Sequence, residues 1–430
     1  MKFCAVGDII IGRRIQPDFA GYSELCPIIN QADARFFNLE TTLNHEGECY
    51  ASQVSGGTYL RTDPEVLEDI QKFGFNMTSF NNNHVMDYSF EGLLHTLDAV
   101  NKSGLVHSGV GRNLGEAAAP KYLETSSGRV ALIALNSSLS GQMCAGEQSD
   151  RIPGRPGVNP LRVTQHVELE QADFDSIKQI ISKTGINAAR EIVKKEGYHS
   201  GASEGSVYIG DITFSCGEQT KFIQKIKQAD LDRVAKSIYE AQLQADYIVI
   251  SVHSHQLEGY EKENPSAFLQ EFAHFCIDKG AHAVVGHGPH LLRPIEIYKE
   301  RPIFYSLGDF VLQLYNIAFA PDEFYSQYGL TTQNTVHELL KKRSQDFTVG
   351  LMTDKRMFTT IIPYWEMEDG KLTKLTLYPV LLSMDGNKSE IGLPRLCNDP
   401  DLLQDFIARS EKFGTKMTRN PDGSYEVQLS

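Results

Sequence analysis

The stretch that decides the fold is VVGHGPHLLRP, residues 284–294. An apolar run ends in a glycine, and two histidines, His287 and His290, then enclose a Gly-Pro pair. The glycines on either side of the first histidine allow a sharp turn, and Pro289 stiffens it. The stretch by itself fits either a surface loop that contains histidine or a strand end that carries a metal site, so the rest of the chain must decide.

Other apolar runs along the chain also end in residues of the metal-ligand or acid/base type. The polar stretches are Gly7-Asp8 after FCAV, Glu40 after ARFFNL, Asn81-Asn82-Asn83-His84 after FNMTSF, His253-Ser254-His255 after YIVISV, and Gly308-Asp309 after IFYSL. In open α/β sheets the carboxyl ends of the strands converge on a shared crevice where ligands bind. We therefore expect these polar residues to be neighbours in space.

Short apolar runs rich in β-formers alternate with amphipathic helical patterns, which predicts a layered α/β fold with central sheets. The predicted strands are Phe3–Val6, Ala34–Leu39, Phe75–Phe80, Leu105–Gly109, Val130–Leu135, Tyr247–Val252, Ala283–Val285 and Ile303–Leu307. The predicted helices of this part are Pro64–Phe73, Ser89–Ser103 and Ser266–Lys279, with Ser266 as a plausible N-cap.

Three parts of the chain differ in pattern. Residues 1–136 together with 245–320 carry the strand-end motifs and form the predicted catalytic core. Residues 137–244 open with a Gly/Pro-rich loop and are predicted to be an insertion or cap over the site. Residues 321–430 are predicted to be an irregular segment, a β-hairpin and a tail that pack on the core.

Local patterns give more detail within the last two parts. In the insertion, Asp173–Lys195 and Lys221–Gln244 are predicted helices around a polar, glycine-rich piece. Polar helical character is expected at Val336–Lys342. The later hairpin is predicted to turn at Asp369-Gly370.

Composition excludes some classes of function. The 430 residues carry a formal net charge of -14, which gives no long-range attraction to nucleic acid or to anionic membranes. The start, MKFCAVGDII, does not have the pattern of a signal peptide, and no stretch approaches the roughly 20 apolar residues that span a bilayer. The seven cysteines are scattered and without C-x-x-C spacing. We expect a cytoplasmic protein with reduced thiols and no integral membrane segment, and the oligomeric state stays open.

Imidazole and carboxylate groups together suit Zn, Mn, Fe or Co, and the absence of nearby cysteine argues against a structural thiolate site. The candidate ligands, enough for one or two ions with one bridging carboxylate, are Asp8, Glu40, Asn83, His253, His287 and His290. His84 follows a ligand on a turn and is the candidate free acid/base. The histidines at 95, 274 and 282 are expected to be structural.

The order of these motifs resembles a known family. GDIIIGR, FNLETTL, NNNHVMDY, GVGRNLGEAAAP and the long run from VHSHQLEGY through GHGPHLLRP to YSLGDFV are similar to the CapA-like family of poly-γ-glutamate capsule biosynthesis proteins. The resemblance covers about residues 1–136 and 245–314 and implies a calcineurin-like metallophosphatase fold. It is weak in the insertion and in the last hundred residues.

The resemblance also implies roles for single residues. Glu40 would bridge two ions; Asp8 and His290 would complete the first; Asn83, His253 and His287 would complete the second, with His84 as acid/base. Metallophosphatases usually begin with Asp-x-His, but isoleucines follow Asp8 here, so the first ion has a thin ligand set. His255 stands where the family often has another residue and is a further ligand or a substrate contact. Asp309 is expected to orient a ligand histidine.

Three functions are compatible with these residues. The first is a hydrolase in which a metal-activated water attacks a phosphoester or an amide such as a γ-glutamyl bond. The second is an amino-acid or peptide epimerase that uses the same site, and the third is a non-catalytic accessory protein of capsule synthesis. Candidates to hold the carboxylate or phosphate of a small-molecule or peptide substrate are Arg13, Arg14, Arg112, Arg155 and Arg293.

Overall fold

A computed structural model describes residues 1–198, 205–314 and 317–429. The helices of these ranges are α1 Ala20–Ile29, α2 Val66–Gln71, α3 Ser89–Ser103, α4 Leu114–Ala118, α5 Gln171–Thr184, α6 Ala188–Lys195, α7 Gln228–Gln242, α8 Ala267–Asp278, α9 Asp322–Gln327, α10 Val336–Arg343 and α11 Gln404–Glu411. The strands up to the end of the insertion are β1 Lys2–Ile10, β2 Ala34–Leu39, β3 Thr42–Leu43, β4 Arg61–Thr62, β5 Met77–Ser79, β6 Val106–Ser108, β7 Val110–Gly111, β8 Lys121–Thr125, β9 Gly128–Asn136, β10 Gly157–Val158, β11 Val163–Leu169, β12 Ser206–Ile209, β13 Ile212–Cys216 and β14 Lys221–Ile226. The later strands are β15 Tyr247–His253, β16 Leu257–Glu258, β17 Glu261–Pro265, β18 Ala283–His287, β19 Leu292–Tyr298, β20 Arg301–Leu307, β21 Asp309–Leu312, β22 Thr359–Glu368, β23 Lys371–Leu382, β24 Pro394–Leu396, β25 Met417–Arg419 and β26 Tyr425–Val427.

The first large sheet contains the start and the end of the chain. Its order is β25-β26-β23-β22-β1-β2-β5-β6, with β21 also paired to β1 and β24 to β23. Strands β1, β2, β5 and β6 are parallel, and β22 runs antiparallel to β1. The carboxyl ends of β1, β2 and β5 therefore lie together on the same side of the first sheet.

The second large sheet has the order β19-β20-β18-β15-β9-β8. Strands β9, β15, β18 and β20 are parallel, and antiparallel β8 and β19 form its two edges. In this register His253 lies opposite His287 on one side and opposite Asn136 on the other. The last residues of three parallel strands are thus in line.

One apolar core joins the two sheets. Phe3 and Phe36 from the first sheet pack in the same cluster as Leu132 and Val285 from the second. A second core lies where helices α1, α2 and α3 cover the other face of the first sheet, and α8 contacts β18 and β20 of the second. The predicted layered α/β architecture with central sheets is confirmed, and strands buried on both faces explain why their sequences are nearly continuous apolar runs.

Most predicted elements are present, usually with longer strands than the apolar runs alone indicated. Strand β2 and helix α3 have the predicted bounds, and the hairpin of β22 and β23 turns at the predicted Asp369-Gly370.

The helix predicted over Lys221–Gln244 is wrong at its start. Lys221–Ile226 is strand β14, which pairs antiparallel with β11, and the helix begins only at Gln228. The alternation of KFIQKI agrees with a strand once that partner is present.

Contact density divides the chain into two compact units. One contains residues 1–160 and 233–430, and the other contains residues 161–232, with a four-stranded sheet in the order β12-β13-β11-β14. The smaller unit lies within the predicted insertion, and its role as a cap stays a prediction. Among the described residues, no helix combines the length and the apolar character needed to cross a bilayer.

Candidate metal centre

The strand register brings the predicted carboxylates together at one sheet edge. Asp8 pairs in register with Asn38 of β2 and with Asp309 of β21, and the amide of Glu40 donates to the carbonyl of Ile9 at 3.1 Å. A β-bulge before Asp8 shifts the register of β1 at this point. Three carboxylates that are far apart in sequence thus lie side by side.

These carboxylates are fully buried but have unequal numbers of partners. Asn38 Nδ2 donates to Asp8 Oδ1 at 2.7 Å, and the backbone amide of Gly288 donates to Asp8 Oδ2 at 2.9 Å. No N–H or hydroxyl group of the described residues donates to either oxygen of Glu40, and its one hydrogen-bonding neighbour there is the carboxyl of Asp8. Burial raises the pKa of Asp8 to about 8, and burial together with the neighbouring Asp8 and Asp309 raises the pKa of Glu40 well above its ordinary value. Asp8 and Glu40 therefore form a buried acidic pair that the chain does not neutralise.

The imidazoles of β15 and β18 face these carboxylates. The Nδ1 atoms of His253 and His287 are 2.9 Å apart, and His287 Nδ1 lies 3.6 Å from Asp8 Oδ1. His253 Nε2 lies 2.7 Å from Asn83 Oδ1, and His287 Nε2 lies 2.7 Å from Ser251 Oγ. Burial lowers the pKa of His287 to about 3, and burial and the surrounding histidines hold the pKa of His253 well below its ordinary value. Both rings are therefore neutral and can offer a lone pair to a cation.

His290 reaches the site from the turn of the opening motif. Its φ of 60° lies in the left-handed region, which few residues other than glycine adopt and which often marks functional sites. Its Nδ1 lies 3.0 Å from Asp309 Oδ1 and 3.9 Å from Glu40 Oε2. Asp309 thus contacts a candidate ligand histidine, and its orienting role stays a prediction.

The donor atoms form overlapping groups that match the requirements of a divalent ion. In each group the donor atoms lie within 4.8 Å of one another, and the groups are Asp8 with His253 and His287; Glu40 with His253 and His255; and Asp8 with Glu40, His290 and Asp309. Asp8 and Glu40 each belong to two of these groups, so either carboxylate is placed to bridge two ions. The orphaned oxygens of Glu40 are the strongest sign that the site fits a cation, because a buried carboxylate with no donor is costly. The third group also contains Asp309, so the first ion position has one more donor than the sequence indicated.

His84 is held beside this group by a carboxylate that sequence reasoning missed. Its Nδ1 lies 2.6 Å from Asp87 Oδ2, and its Nε2 lies 3.8 Å from Glu40 Oε1. Asp87 also accepts the backbone amides of Gly56 and Leu60. The ring of His84 is therefore fixed in orientation, with Nε2 facing the candidate ligands. The spacing N-H-x-x-D was visible in the sequence and could have indicated the pair.

His255 lies at the side of the site. Its Nε2 is 3.3 Å from Asn83 Oδ1, and its ring is 5.0 Å from that of His253 and 5.2 Å from that of His290. The loop that carries it is fixed by Arg293, which is fully buried and donates to the carbonyls of Lys262, Ser254 and Gln256. Arg293 thus has a structural role in positioning the histidine loop, which differs from the predicted substrate contact.

The other arginine candidates fall into two groups. Arg14 pairs with Asp69, Arg112 pairs with Asp98 on the surface, and Arg155 donates to the carbonyl of Cys144. Arg13 alone among the candidates has two buried guanidinium nitrogens, Nε and Nη2, without a partner in the described residues. The predicted substrate role is therefore weakened for Arg14, Arg112 and Arg155.

Residues predicted to be structural do lie outside the donor groups. His95 is exposed, His274 lies 2.9 Å from Glu296, and His282 Nδ1 accepts the amide of Ile248. Among the described residues, no cysteine forms a disulfide, and Cys4 and Cys276 are buried. Asn38 and Ser251 were missed, although each contacts a candidate ligand.

The structure defines a layered α/β protein with a buried carboxylate and imidazole centre at converging strand ends. The model of the family described as "Bacterial capsule synthesis protein PGA_cap" matches residues 2–314. The chain belongs to this family, which confirms the resemblance to the CapA-like proteins.

The chain is also similar to individual proteins. The chain is 31% identical to the uncharacterized protein y4sH of Sinorhizobium fredii, over 96% of this chain and 90% of that protein. It is 24% identical to the PGA biosynthesis protein CapA of Bacillus subtilis, over 86% of this chain and 80% of that protein. Among solved structures, one described as a novel phosphatase of Mycoplasma pneumoniae is 11% identical, with a TM-score of 0.41, and the match covers 89% of this chain and 93% of that one.

Proposed function

We propose that the protein is a metal-dependent hydrolase that cleaves a phosphoester or a γ-glutamyl or peptide amide bond. The single observation that carries the proposal is Glu40, whose two carboxylate oxygens are fully buried and have no N–H or hydroxyl donor among the described residues. The ring nitrogens of His84, His253 and His290 lie 3.8, 3.8 and 3.9 Å from these oxygens. To stay ionised, a buried carboxylate of this kind requires a positive charge, and no lysine or arginine among the described residues pairs with it.

The candidate ligands divide between one or two ion positions. Asp8, Glu40, His290 and Asp309 would hold one ion, and Asn83, His253 and His287, with Glu40 or Asp8 as the bridge, would hold the other. Bound there, divalent Mn, Zn, Fe or Co would act as a Lewis acid on the scissile group and activate water for attack. Low pKa values keep the histidine rings free of competing protons.

Proton transfer is the proposed task of His84. The contact of its Nδ1 with Asp87 fixes the proton on that nitrogen and leaves Nε2 to exchange a proton with the leaving group. Ser251, with its hydroxyl against His287, and Asn38, with its amide on Asp8, hold two ligands in orientation. His255, next to Asn83 and His290, is placed to contact substrate or to supply a further ligand.

The name of a relative favours one substrate class, whereas the site is compatible with two. The relative in Bacillus subtilis is named a PGA biosynthesis protein, which favours a γ-glutamyl amide over an unrelated peptide. The site itself supports phosphoester cleavage equally, since carboxylates and imidazoles hold paired ions in both kinds of hydrolase.

The decisive experiment begins with elemental analysis of protein purified without chelator. The metal found is then added in assays on bis(p-nitrophenyl) phosphate and on γ-glutamyl-p-nitroanilide. We expect one or two transition ions per chain and turnover of at least one substrate. His253→Ala should lose both metal and turnover, whereas His95→Ala, on the exposed side of α3, should keep both. Full turnover and metal content in His253→Ala would refute the proposal.

Two other outcomes point to the alternative functions. Deuterium uptake from D₂O into a product with the same atomic composition as the substrate would indicate an epimerase. Metal binding without turnover of either substrate, together with co-purification of membrane partners, would indicate an accessory protein of capsule synthesis.

A further inference from the structure

Lys262 of strand β17 is anchored beside the candidate metal centre by its backbone. Its carbonyl accepts Nε of Arg293 at 3.1 Å. The same guanidinium donates to the carbonyls of Ser254 and Gln256, which stand on either side of His255. The fully buried Arg293 therefore ties the backbone of Lys262 directly to the loop that carries His255.

The acidic neighbours of Lys262 along β17 have other partners. Glu261 pairs with Arg409, and Glu263 pairs with Arg356. Successive side chains of a strand point to opposite faces, so the side chain of Lys262 lies on the face opposite these two ion pairs. Neither adjacent carboxylate is therefore the partner of its ammonium.

The charge of Lys262 acts on three residues of the metal centre. Burial raises the pKa of Asp309 well above its ordinary value, and Lys262 opposes that shift. Burial lowers the pKa of His290, and Lys262 lowers it further. Burial also lowers the pKa of His255, with added effects of the nearby His290 and Lys262. The ammonium therefore lies on the side of the centre that these three residues form.

The carboxylates near this ammonium do not neutralise it. Asp309 Oδ1 contacts His290 Nδ1 at 3.0 Å, and Asp354 is bound by Arg356 at 2.6 Å. Lys262 is only half-buried, and its Nζ is accessible, without an ion pair or a hydrogen bond among the described residues. A positive charge that can be reached from outside thus stands next to the candidate ligands.

An accessible cation at this place has a physical use. The chain has a formal net charge of -14, which repels an anion at long range, and the carboxylates of the centre repel it at short range. The donors of the nearby Arg293 are already bound to three carbonyls. Lys262 is therefore placed to offset this repulsion for an anionic group that enters the centre.

We propose that Lys262 binds an anionic group of the substrate, a carboxylate or a phosphate, on the side of the centre formed by His255, His290 and Asp309. The inference rests on the proposed hydrolase and narrows its substrate class to compounds that are negatively charged near the scissile bond. A γ-glutamyl compound offers a carboxylate, a phosphoester offers phosphate oxygens, and an ammonium with three rotatable donors suits either. A neutral peptide amide offers no such group.

The first test is calorimetric titration of the full chain as purified, with any metal that it carries, and it needs no turnover. The probes are inorganic phosphate, glutarate and the neutral glutaramide. Lys262→Met removes the charge and keeps the length, Lys262→Gln serves if the methionine variant does not fold, and Lys262→Arg keeps the charge. The matched control is Lys299→Met, which removes a surface ammonium paired with Asp278.

We expect phosphate, glutarate or both to bind the wild type and Lys299→Met alike. The same anion should bind Lys262→Met and Lys262→Gln at least about tenfold more weakly, because a hydrogen bond between charged groups is lost. Lys262→Arg should bind it within about threefold of the wild type, since the charge remains. Weaker binding of glutarate alone would identify a carboxylate, and weaker binding of phosphate alone a phosphate.

Kinetics separate substrate binding from a structural role. For the substrate that is turned over, Lys262→Met should raise KM by about tenfold and change kcat by less than about threefold, as expected when an interaction holds substrate and transition state alike. Metal content should equal that of the wild type, because Lys262 is not a candidate ligand.

Four results would overturn the proposal. They are no binding of either anion by the wild type in the millimolar range, equal anion binding in the wild type and Lys262→Gln, tighter binding of glutaramide than of glutarate and phosphate, and loss of metal in Lys262→Gln. Anion binding that depends on Lys262 without turnover of any substrate would refute the hydrolase and keep the anion site. Turnover with an unchanged KM in Lys262→Met and Lys262→Gln would refute the anion site and keep the hydrolase.

Discussion

Two buried carboxylates of the same domain have opposite surroundings. Glu40 follows β2 at the candidate metal centre, and Asp69 lies in helix α2; both side chains are at most 1% exposed. Arg14 and Lys72 pair with Asp69, and the backbone amide of Ile15 donates to it at 3.0 Å. Glu40 has no donor within the described residues.

The pKa of each carboxyl follows from these surroundings. Burial pushes the pKa of Asp69 upward, but the hydrogen bonds from Arg14, Lys72 and Ile15 outweigh it and leave the pKa below its ordinary value. Burial and the nearby Asp8 and Asp309 raise the pKa of Glu40. The protein provides positive charges for Asp69, whereas no lysine or arginine among the described residues pairs with Glu40. Where a protein buries a carboxylate and leaves out its partner, the partner is expected from solution.

The largest expected effect is that of Glu40→Gln. Metal-dependent turnover should fall by at least about a thousandfold, because several kcal/mol of metal-based stabilisation of the transition state is lost. The metal-free variant should be more stable than the metal-free wild type by about 1–3 kcal/mol, since a buried carboxylate without a donor has been removed. Steady-state kinetics and denaturant unfolding in the presence of chelator measure the two effects. If Glu40→Gln kept full turnover, or if the metal-free variant were less stable than the metal-free wild type, Glu40 would not differ from Asp69 in the way proposed.

The next effect concerns the number of ions. His290→Ala should lower the metal content by one ion per chain, because His290 belongs to the group of Asp8, Glu40 and Asp309 and to none that contains His287. His287→Ala should remove the other ion. Elemental analysis of both variants beside His95→Ala gives the stoichiometry. Wild-type metal content in His290→Ala would show that the two-ion arrangement is wrong.

A smaller effect is expected at the acid/base histidine. Asp87→Asn should lower kcat by about 10–100-fold with little change in KM or metal content, since the partner that orients His84 is altered while the ligands remain. The double variant with His84→Ala should be no slower than His84→Ala alone, because Asp87 acts through that ring. Additive losses would mean that Asp87 acts mainly through the amides of Gly56 and Leu60 that it accepts.

Much of the fold and of the candidate site was predictable because its information is local. A polar residue directly after an apolar run marks a strand end, and parallel strands bring such ends together. This reasoning placed Asp8, Glu40, His253 and His287 in one cluster without any knowledge of the register. It could not find Ser251, because whether a polar residue inside a strand touches a ligand depends on which strand pairs beside it.

The errors have the same physical origin. Lys221–Ile226 was predicted to be helical because six residues are too few for the apolar pattern to distinguish a helix from a strand. The strand forms by pairing with β11, a partner that the local sequence does not reveal. Arg293 was predicted to bind substrate because arginine near a site suggests anion recognition. Its position in the buried strand β19 instead directs its donors to three backbone carbonyls, and burial lowers its pKa to about 10.

The smallest expected effect concerns Asp69, the carboxylate that the protein itself pairs with positive charges. Because the pKa of Asp69 is lower in the folded protein, its contribution to stability is present above the unfolded pKa of about 3.9 and is lost as pH falls through the folded pKa. Asp69→Asn should therefore lower the free energy of unfolding by about 1–2 kcal/mol at neutral pH, and the difference should shrink towards zero in acid. The control is Asp405→Asn, whose exposed pair with Arg409 should change stability by no more than about 0.5 kcal/mol. Denaturant unfolding of the metal-free proteins across pH measures both. A difference for Asp69→Asn that persists in strong acid would mean that the carboxylate stabilises the fold through its shape, and its contrast with Glu40 would then not be one of charge.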